Sequence, residues 1–220
     1  MNLINKFFLF GFPITIIKLD KNSYNKKSII SAIEKNFKIS PKRNSWDSFS
    51  VLHHSYDDEL NPKYHKVNFD SLVPIYKKGI ETFLSTTDLS APCGYNFQIV
   101  NYTCFGESQY MAAHAHPEVD FVGMHYIQFD KKNHTPVVFD NTLPHKNYIR
   151  LIRPDLEKIL SPTEASNSWI SQAWMPQIQE DDFCLFPGYI KHHVDPQKSK
   201  DKRRIAIVLN ITLKKREGTK

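Results

Sequence analysis

The sequence predicts a mainly β fold, a jelly roll with two helices buttressing one of its sheets. Three observations carry that prediction. After Cys93-Gly94, short β-type runs separated by turn residues fill most of the chain. Before them, two segments place apolar residues at helical spacing. Many short strands following two helices is the pattern of two packed sheets with helices on one face. The 220 residues are 40% hydrophobic and 13% aromatic, enough for one substantial core. We therefore expect a single domain over 1–220, with an N-terminal strand and supporting helices over 1–94 and the jelly-roll core over 95–213.

Met1 to Phe10 combines a lysine with a short apolar run, as a secretory leader does. It lacks a small-residue cleavage site and Gly11 to Ile17 continues as a strand, so it reads as mature protein. Residues 8–18 read as one strand interrupted at Gly11-Phe12-Pro13. A helix is expected after Asn25, where Ile29, Ile30, Ile33 and Phe37 share a face. Residues 38–66 read as loop with one short strand, Phe49 to Leu52, and His53, His54 and His65 as surface or turn histidines. A second helix is expected from Asn68 to about Thr86, on the stripe Leu72, Ile75, Tyr76, Ile80, Phe83 and Leu84. Asn68 or Asp70 can cap it, and Pro74 is tolerated only near its first turn. Strands are then expected at Asn96 to Tyr102, Tyr110 to His114, Phe121 to Phe129, Pro136 to Phe139, Trp169 to Met175, Phe183 to Phe186 and Arg203 to Thr212. Asn141 to Ser168, rich in proline, reads as a long loop over one end, with a short helix near Pro154 to Leu160 and the character of a lid.

Composition narrows the function classes. No apolar run approaches the length of a membrane span. Three cysteines, odd in number and without paired spacing, read as core thiols in a reducing, cytoplasmic compartment. The net charge of +6 is spread along the chain, with clusters at Lys26-Lys27, Lys131-Lys132, Lys198 to Arg204 and Lys214 to Arg216. That distribution favours a solvated surface with a basic tail over a nucleic-acid partner. No oligomeric state is legible.

Two histidine pairs carry the chemistry. His114 and His116 are two residues apart, and on a strand such residues point to the same face, so both can reach one metal ion. His192-His193 follows the Phe186-Pro187-Gly188 turn, and of two adjacent strand residues only one points inward. Ferrous iron doing oxygen chemistry usually sits between two histidines and one carboxylate, with open positions left for co-substrate and dioxygen. Here His116 stands where the carboxylate of an H-x-D pattern belongs. His116 can complete a three-histidine site, water can take that place, Glu118 can serve in a shifted H-x-E, or Asp120 can fold back. Histidines of a metal-free core are the plainer reading.

Arg204 is the fifth residue of interest. Arg204, Ala206, Val208 and Asn210 face one way on a strand that is apolar on both faces, so an inward arginine needs an anion. Its guanidinium can clamp a carboxylate in two-pronged fashion, which suits the far carboxylate of 2-oxoglutarate, and small Ala206 leaves room for it. A structural Asp or Glu partner would explain the same arginine. Tyr126, on the strand leaving the first histidine pair, can reach the same carboxylate, and Asn210 is assigned with these two to the co-substrate.

Taken together, H-x-H-P, a following Gly-aromatic strand, Leu185-Phe186-Pro187 with His192 five residues on, and Arg204-Ile205-x-Ile207-x-x-Asn210 resemble the Fe(II)/2-oxoglutarate-dependent oxygenases. The closest likeness is to a group common in marine bacteria and their phages, whose F-P-T-P start is similar to Phe10-Gly11-Phe12-Pro13. The resemblance implies a double-stranded β-helix, Fe(II) and 2-oxoglutarate as cofactors, His192 rather than His193 as the distal ligand, and Tyr126 and Arg204 at the 2-oxoglutarate. The activity implied is that of a dioxygenase which hydroxylates a substrate, a small molecule or a protein side chain, releasing succinate and CO2. Val122-Gly123-Met124-His125-Tyr126 departs from the group's Ser-Gly-Val-Tyr-Tyr. A metal-binding, cupin-like jelly roll without oxygenase activity, an isomerase or binding module, is the alternative.

Overall fold

The structure, a computed structural model, describes residues 2–9, 12–42, 47–55, 62–87, 93–141 and 173–215. Two antiparallel sheets face each other. The larger runs β1 (Asn2–Leu9), β2 (Phe12–Lys18), β9 (Asp182–Pro187), β6 (Phe121–Gln128), β11 (Arg204–Lys215), β4 (Cys93–Phe105) and β3 (His53–His54). The smaller runs β5 (Met111–His114), β10 (His192–Val194), β7 (Val137–Asp140) and β8 (Ala173–Trp174).

Alternation along the central strand β11 builds two cores from one strand. Ile205, Ile207, Leu209 and Ile211 face outward and pack with Ile29, Ile33 and Phe37 of α1 (Lys26–Ile39) and Tyr76, Ile80 and Phe83 of α2 (Val73–Thr86). Ala206 and Val208 face inward with Val122, Met124 and Tyr126 of β6, Phe139 of β7 and Phe186 of β9. Burying an aliphatic side chain of this size contributes roughly 1.5–3 kcal/mol, so the helices hold the large sheet by its outer face. The inner face is left for the cavity.

Several expectations are corrected. Residues 8–18 are not one interrupted strand: β1 and β2 form a hairpin, with Leu9 opposite Phe12. The strand expected at Phe49 to Leu52 lies instead at His53–His54, preceded by a single bridge from Val51 to Tyr110. His53 and His54 are buried rather than at the surface; His65 is exposed. His53 donates from Nδ1 to the Ser40 carbonyl at 2.7 Å and meets the Tyr102 hydroxyl through Nε2 at 3.1 Å. A short 3-10 turn, Asp70–Leu72, leads into α2, so the helix begins after Leu72 with no side-chain cap from Asn68 or Asp70. Asn68 Oδ1 accepts the Asp70 N–H at 2.7 Å ahead of the turn, and Pro74 falls within the first two helical positions. The lid and short helix expected within Asn141 to Ser168 lie outside the described residues from 142 onward, as does much of the strand expected at Trp169 to Met175.

A buried histidine on the helix side links the sheet to both helical segments. His125 of β6 meets the Tyr76 hydroxyl through Nδ1 at 2.8 Å and the Tyr24 hydroxyl through Nε2 at 3.4 Å. Tyr24 in turn donates to Asp181, whose carboxylate is held by Lys26 at 2.7 Å. Complete burial, with Lys26 and Lys18 nearby, pushes the imidazole down to about 3. An unfolded chain takes up the proton near pH 6.5 and the folded one does not, so stability is fully present above that pH and is lost as pH falls toward the folded value. We expect unfolding free energy to fall below about pH 6.5 with a slope approaching 1.4 kcal/mol per pH unit from this group alone. Denaturant titrations of wild type and His125→Gln between pH 7 and 5 check it, the variant showing the shallower slope.

Candidate active site

His114 ends β5 and His192 opens β10, and the two stand directly opposite each other in the small sheet. His116 reaches them by a different route from the one its spacing suggested. β5 stops at His114, so His116 lies in a turn beyond the strand. Its N–H donates to the Gly188 carbonyl at 2.7 Å, and the Gly188 N–H donates back to the Asp120 carbonyl at 3.0 Å. The turn after β9 thereby clamps the turn after β5. A Cβ on Gly188 would lie 2.4 Å from the Val119 carbonyl oxygen and 2.6 Å from that of His116, both backbone atoms that cannot swing away. Gly188→Ala is therefore expected to displace His116, costing about 1–3 kcal/mol of stability and weakening iron binding; thermal melts and iron titration check both.

The three rings converge. Centroids lie 4.3 Å apart for His114 and His192, 5.2 Å for His114 and His116, and 5.4 Å for His116 and His192. One ligand atom from each falls within 4.8 Å of the others. His114 donates Nδ1–H to the Ala112 carbonyl at 2.9 Å and His192 donates Nδ1–H to the Ile190 carbonyl at 2.8 Å. These bonds fix the tautomer and leave both Nε2 lone pairs turned to the centre. Burial lowers all three imidazoles, His116 to about 4 and His192 well below the usual range, so at neutral pH they are in the neutral form that a metal requires. His193 points the other way, toward Asp140 and Asp195 at 3.4 Å.

Neither candidate carboxylate joins the cluster among the described residues. Glu118 is exposed where the same cavity opens. Asp120 accepts the Leu213 N–H at 2.7 Å and donates its own N–H to the Ile211 carbonyl, extending the pairing of β6 and β11.

Arg204 is fully buried on the inner face of β11. Nε donates to the Thr135 carbonyl at 2.9 Å, Nη2 approaches Met124 Sδ at 3.7 Å, and the guanidinium lies over the rings of Phe105 at 4.8 Å and Tyr126 at 5.1 Å. No carboxylate pairs with it among the described residues. Tyr126 supports it from behind: its hydroxyl accepts the Val137 N–H at 3.0 Å and its side chain is not part of the cavity wall.

A cavity of about 270 Å³ joins these parts, lined by the three histidines, Arg204, Met124 and Val208, with His54, Asn101, Thr103 and Asn210 along the β3–β4–β11 wall. Sequence reasoning missed His54, Asn101 and Thr103. His54 pairs with Thr103 across two strands, a register visible only once β3 is placed.

The unmet polar atoms show what the cavity is built to hold. Among the described residues six buried side-chain atoms lack a hydrogen-bond partner, and four belong to residues of this cavity: Nε2 of His192, Nη1 of Arg204, and Oδ1 of Asn101 and of Asn210. Such groups are costly unless something satisfies them. A lone pair among three neutral imidazoles fits a divalent transition metal, and a bare guanidinium nitrogen fits a carboxylate. Among the described residues of the basic clusters, Lys26 and Lys202 pair with Glu180, and Lys200 with Glu107.

Comparisons with known proteins agree with this chemistry. The 2OG-Fe(II) oxygenase family model matches residues 102–210, which span the three histidines, Tyr126, Arg204 and Asn210. No curated protein matches the chain in sequence. Among solved structures it is similar to a prolyl hydroxylase from Trichoplax adhaerens, in complex with a hypoxia inducible factor oxygen degradation domain peptide fragment. The TM-score is 0.50 at 10% identity, over 90% of this chain and 83% of that one. It is similar also to EvdMO1, with a TM-score of 0.50 at 10% identity over 90% of this chain and 46% of that one. At such identities the structural likeness is one of fold, the double-stranded β-helix. With the family model lying over the histidine cluster and the inward arginine, the chain belongs to the 2OG-Fe(II) oxygenase superfamily, whose members use Fe(II) and 2-oxoglutarate, and is a 2-oxoglutarate-dependent dioxygenase.

Proposed function

We propose that this dioxygenase hydroxylates a C–H bond of a small molecule or a protein side chain, with Fe(II) held by His114, His116 and His192 and 2-oxoglutarate anchored at Arg204. The observation that supports this most is the pairing, in one cavity, of an unmet lone pair on His192 with an unmet donor on Arg204. When bound, iron and 2-oxoglutarate supply the oxidation: one atom of dioxygen enters succinate as CO2 leaves, and the other enters the substrate C–H bond.

The residues position and polarise. Backbone carbonyls of Ala112 and Ile190 hold the imidazoles of His114 and His192 in one tautomer and one orientation. Three neutral ligands leave the dipositive charge of the metal undiminished, which favours a dianionic co-substrate beside it. Arg204, held by Thr135 and stacked between Phe105 and Tyr126, meets the far carboxylate without reorganising. Tyr126, with its ring against the guanidinium and its hydroxyl accepting the Val137 N–H, holds Arg204 in place from behind rather than reaching that carboxylate itself. Met111, Met124, Val194 and Val208 keep the wall apolar around the reacting atoms and exclude water.

On this reading the whole chain is one oxygenase domain, residues 1–94 bracing a jelly-roll core over 95–213, within the group of marine bacteria and phages that its Phe-Gly-Phe-Pro start resembles. A reducing, cytoplasmic compartment suits the buried free thiols of Cys104 and Cys184. Adding 2-oxoglutarate to anaerobic, iron-loaded protein is expected to raise the weak visible charge-transfer band of the two-point complex. Metal-replete protein that shows no such band sinks the proposal and returns a cupin-like binding or isomerase role.

A further inference from the structure

Two of the four unmet atoms of the cavity are left over once a metal and a dicarboxylate are accounted for. They are the side-chain oxygens of Asn101 and Asn210. Neither carboxamide makes any hydrogen bond among the described residues, although both line the cavity. Asn210 lies six residues beyond Arg204 on the same face of β11, about 20 Å at the rise of a β-strand. A five-carbon diacid held at Arg204 cannot extend that far, which separates Asn210 from the co-substrate to which its sequence position assigned it. Asn101 stands opposite Val208 in the β4–β11 register, between Thr103 and the Asn210 end.

The chemistry of these two groups restricts what they can take. Buried amide oxygens need donors. A carboxylate or phosphate offers acceptors alone and leaves both oxygens unmet; an apolar group leaves the whole carboxamide unmet. A hydroxyl can answer one atom at a time. A second amide offers donor and acceptor along one planar edge and so answers a carboxamide in either of its two orientations.

Resting on the site reading above, we infer that Asn101 and Asn210 form the substrate end of the cavity and that the group they hold is a neutral amide. The amide docks against β4 and β11 beyond the metal, leaving the substrate C–H bond facing the histidines.

The test uses full-length, iron-loaded protein, anaerobic and saturated with 2-oxoglutarate, with N-acetylglycinamide as probe and glycerol and acetate as comparators. Fe(II)-induced relaxation of the probe's protons reports binding close to the metal. N-acetylglycinamide is expected to bind more tightly than either comparator. Asn101→Leu and Asn210→Leu are each expected to weaken it on the order of tenfold while retaining the charge-transfer band. That band also shows each variant to be folded, and alanine replaces leucine in any variant lacking it. The inference is overturned if glycerol or acetate binds as tightly as the amide, if the variants bind it unchanged, or if both Asn210 variants lose the band, which makes Asn210 a co-substrate residue. Wild type that forms the band but shows no amide relaxation overturns this inference alone; wild type without the band overturns the site reading and this inference together.

Discussion

His114→Ala and His116→Ala each lower ferrous iron affinity sharply, at or beyond the roughly 10–100-fold that the loss of a mere supporting contact causes at metal sites. Glu118→Ala and Asp120→Ala leave it essentially unchanged. The contrast rests on where the donor atoms are. The histidines present nitrogen lone pairs within 4.8 Å of one another, whereas Glu118 is exposed at the cavity mouth and Asp120 is engaged with the backbone of β11. Asp120→Ala carries its own separate signature. It forfeits the bond to the Leu213 N–H and costs about 0.5–1.5 kcal/mol of stability without touching iron. Anaerobic titration of the four variants beside wild type, with thermal melts of the metal-free proteins, separates the two effects. A carboxylate variant that loses iron while one of the two histidine variants keeps it reverses the ligand assignment.

Arg204→Met weakens 2-oxoglutarate binding by roughly 30-fold or more, since truncating one partner of a buried charge pair costs about 2–5 kcal/mol. The same substitution leaves the metal-free protein close to wild type in stability. Removing the Thr135 contact costs something, but removing a buried guanidinium with no carboxylate partner among the described residues recovers a comparable amount. Burial already lowers the pKa of this arginine, the mark of a charge held in an unfavourable setting until its ligand arrives. Affinity measured by titration of the charge-transfer band, and stability measured in denaturant, are expected to part company. An arginine kept for folding would lose stability and leave the band affinity alone.

Both residues show what could be read from the chain alone. β11 was legible because its two faces differ in kind: an unbroken isoleucine and leucine row packs on the helices, and a row of arginine and small residues faces the cavity. An arginine in the second row has few explanations. The histidine cluster was legible as a set, yet the reason given for His116 was wrong. Strand periodicity placed it beside His114, while in the structure the strand has ended and the Gly188 clamp delivers the ring. That clamp depends on two turns 70 residues apart in sequence, which no local pattern encodes. His53 and His54 were misread for a related reason. A two-residue strand has no periodicity, and its burial follows from pairing with Cys104 and Thr103 and, for His53, from packing on Phe37 and Tyr64. β10, three residues long, escaped for the same cause. Tyr126 could not be distinguished from a core aromatic, and its place behind Arg204 is in fact a core position with one polar duty.

The most direct test of the central claim is the anomalous scattering of iron in crystals of the anaerobic Fe(II) complex with 2-oxoglutarate. The account predicts one iron peak bonded to nitrogens of His114, His116 and His192 at about 2.0–2.1 Å, the usual imidazole–metal distance, with the far carboxylate of 2-oxoglutarate on Arg204. An oxygen of Glu118 or Asp120 in the coordination shell, or a 2-oxoglutarate whose carboxylates both avoid Arg204, contradicts it.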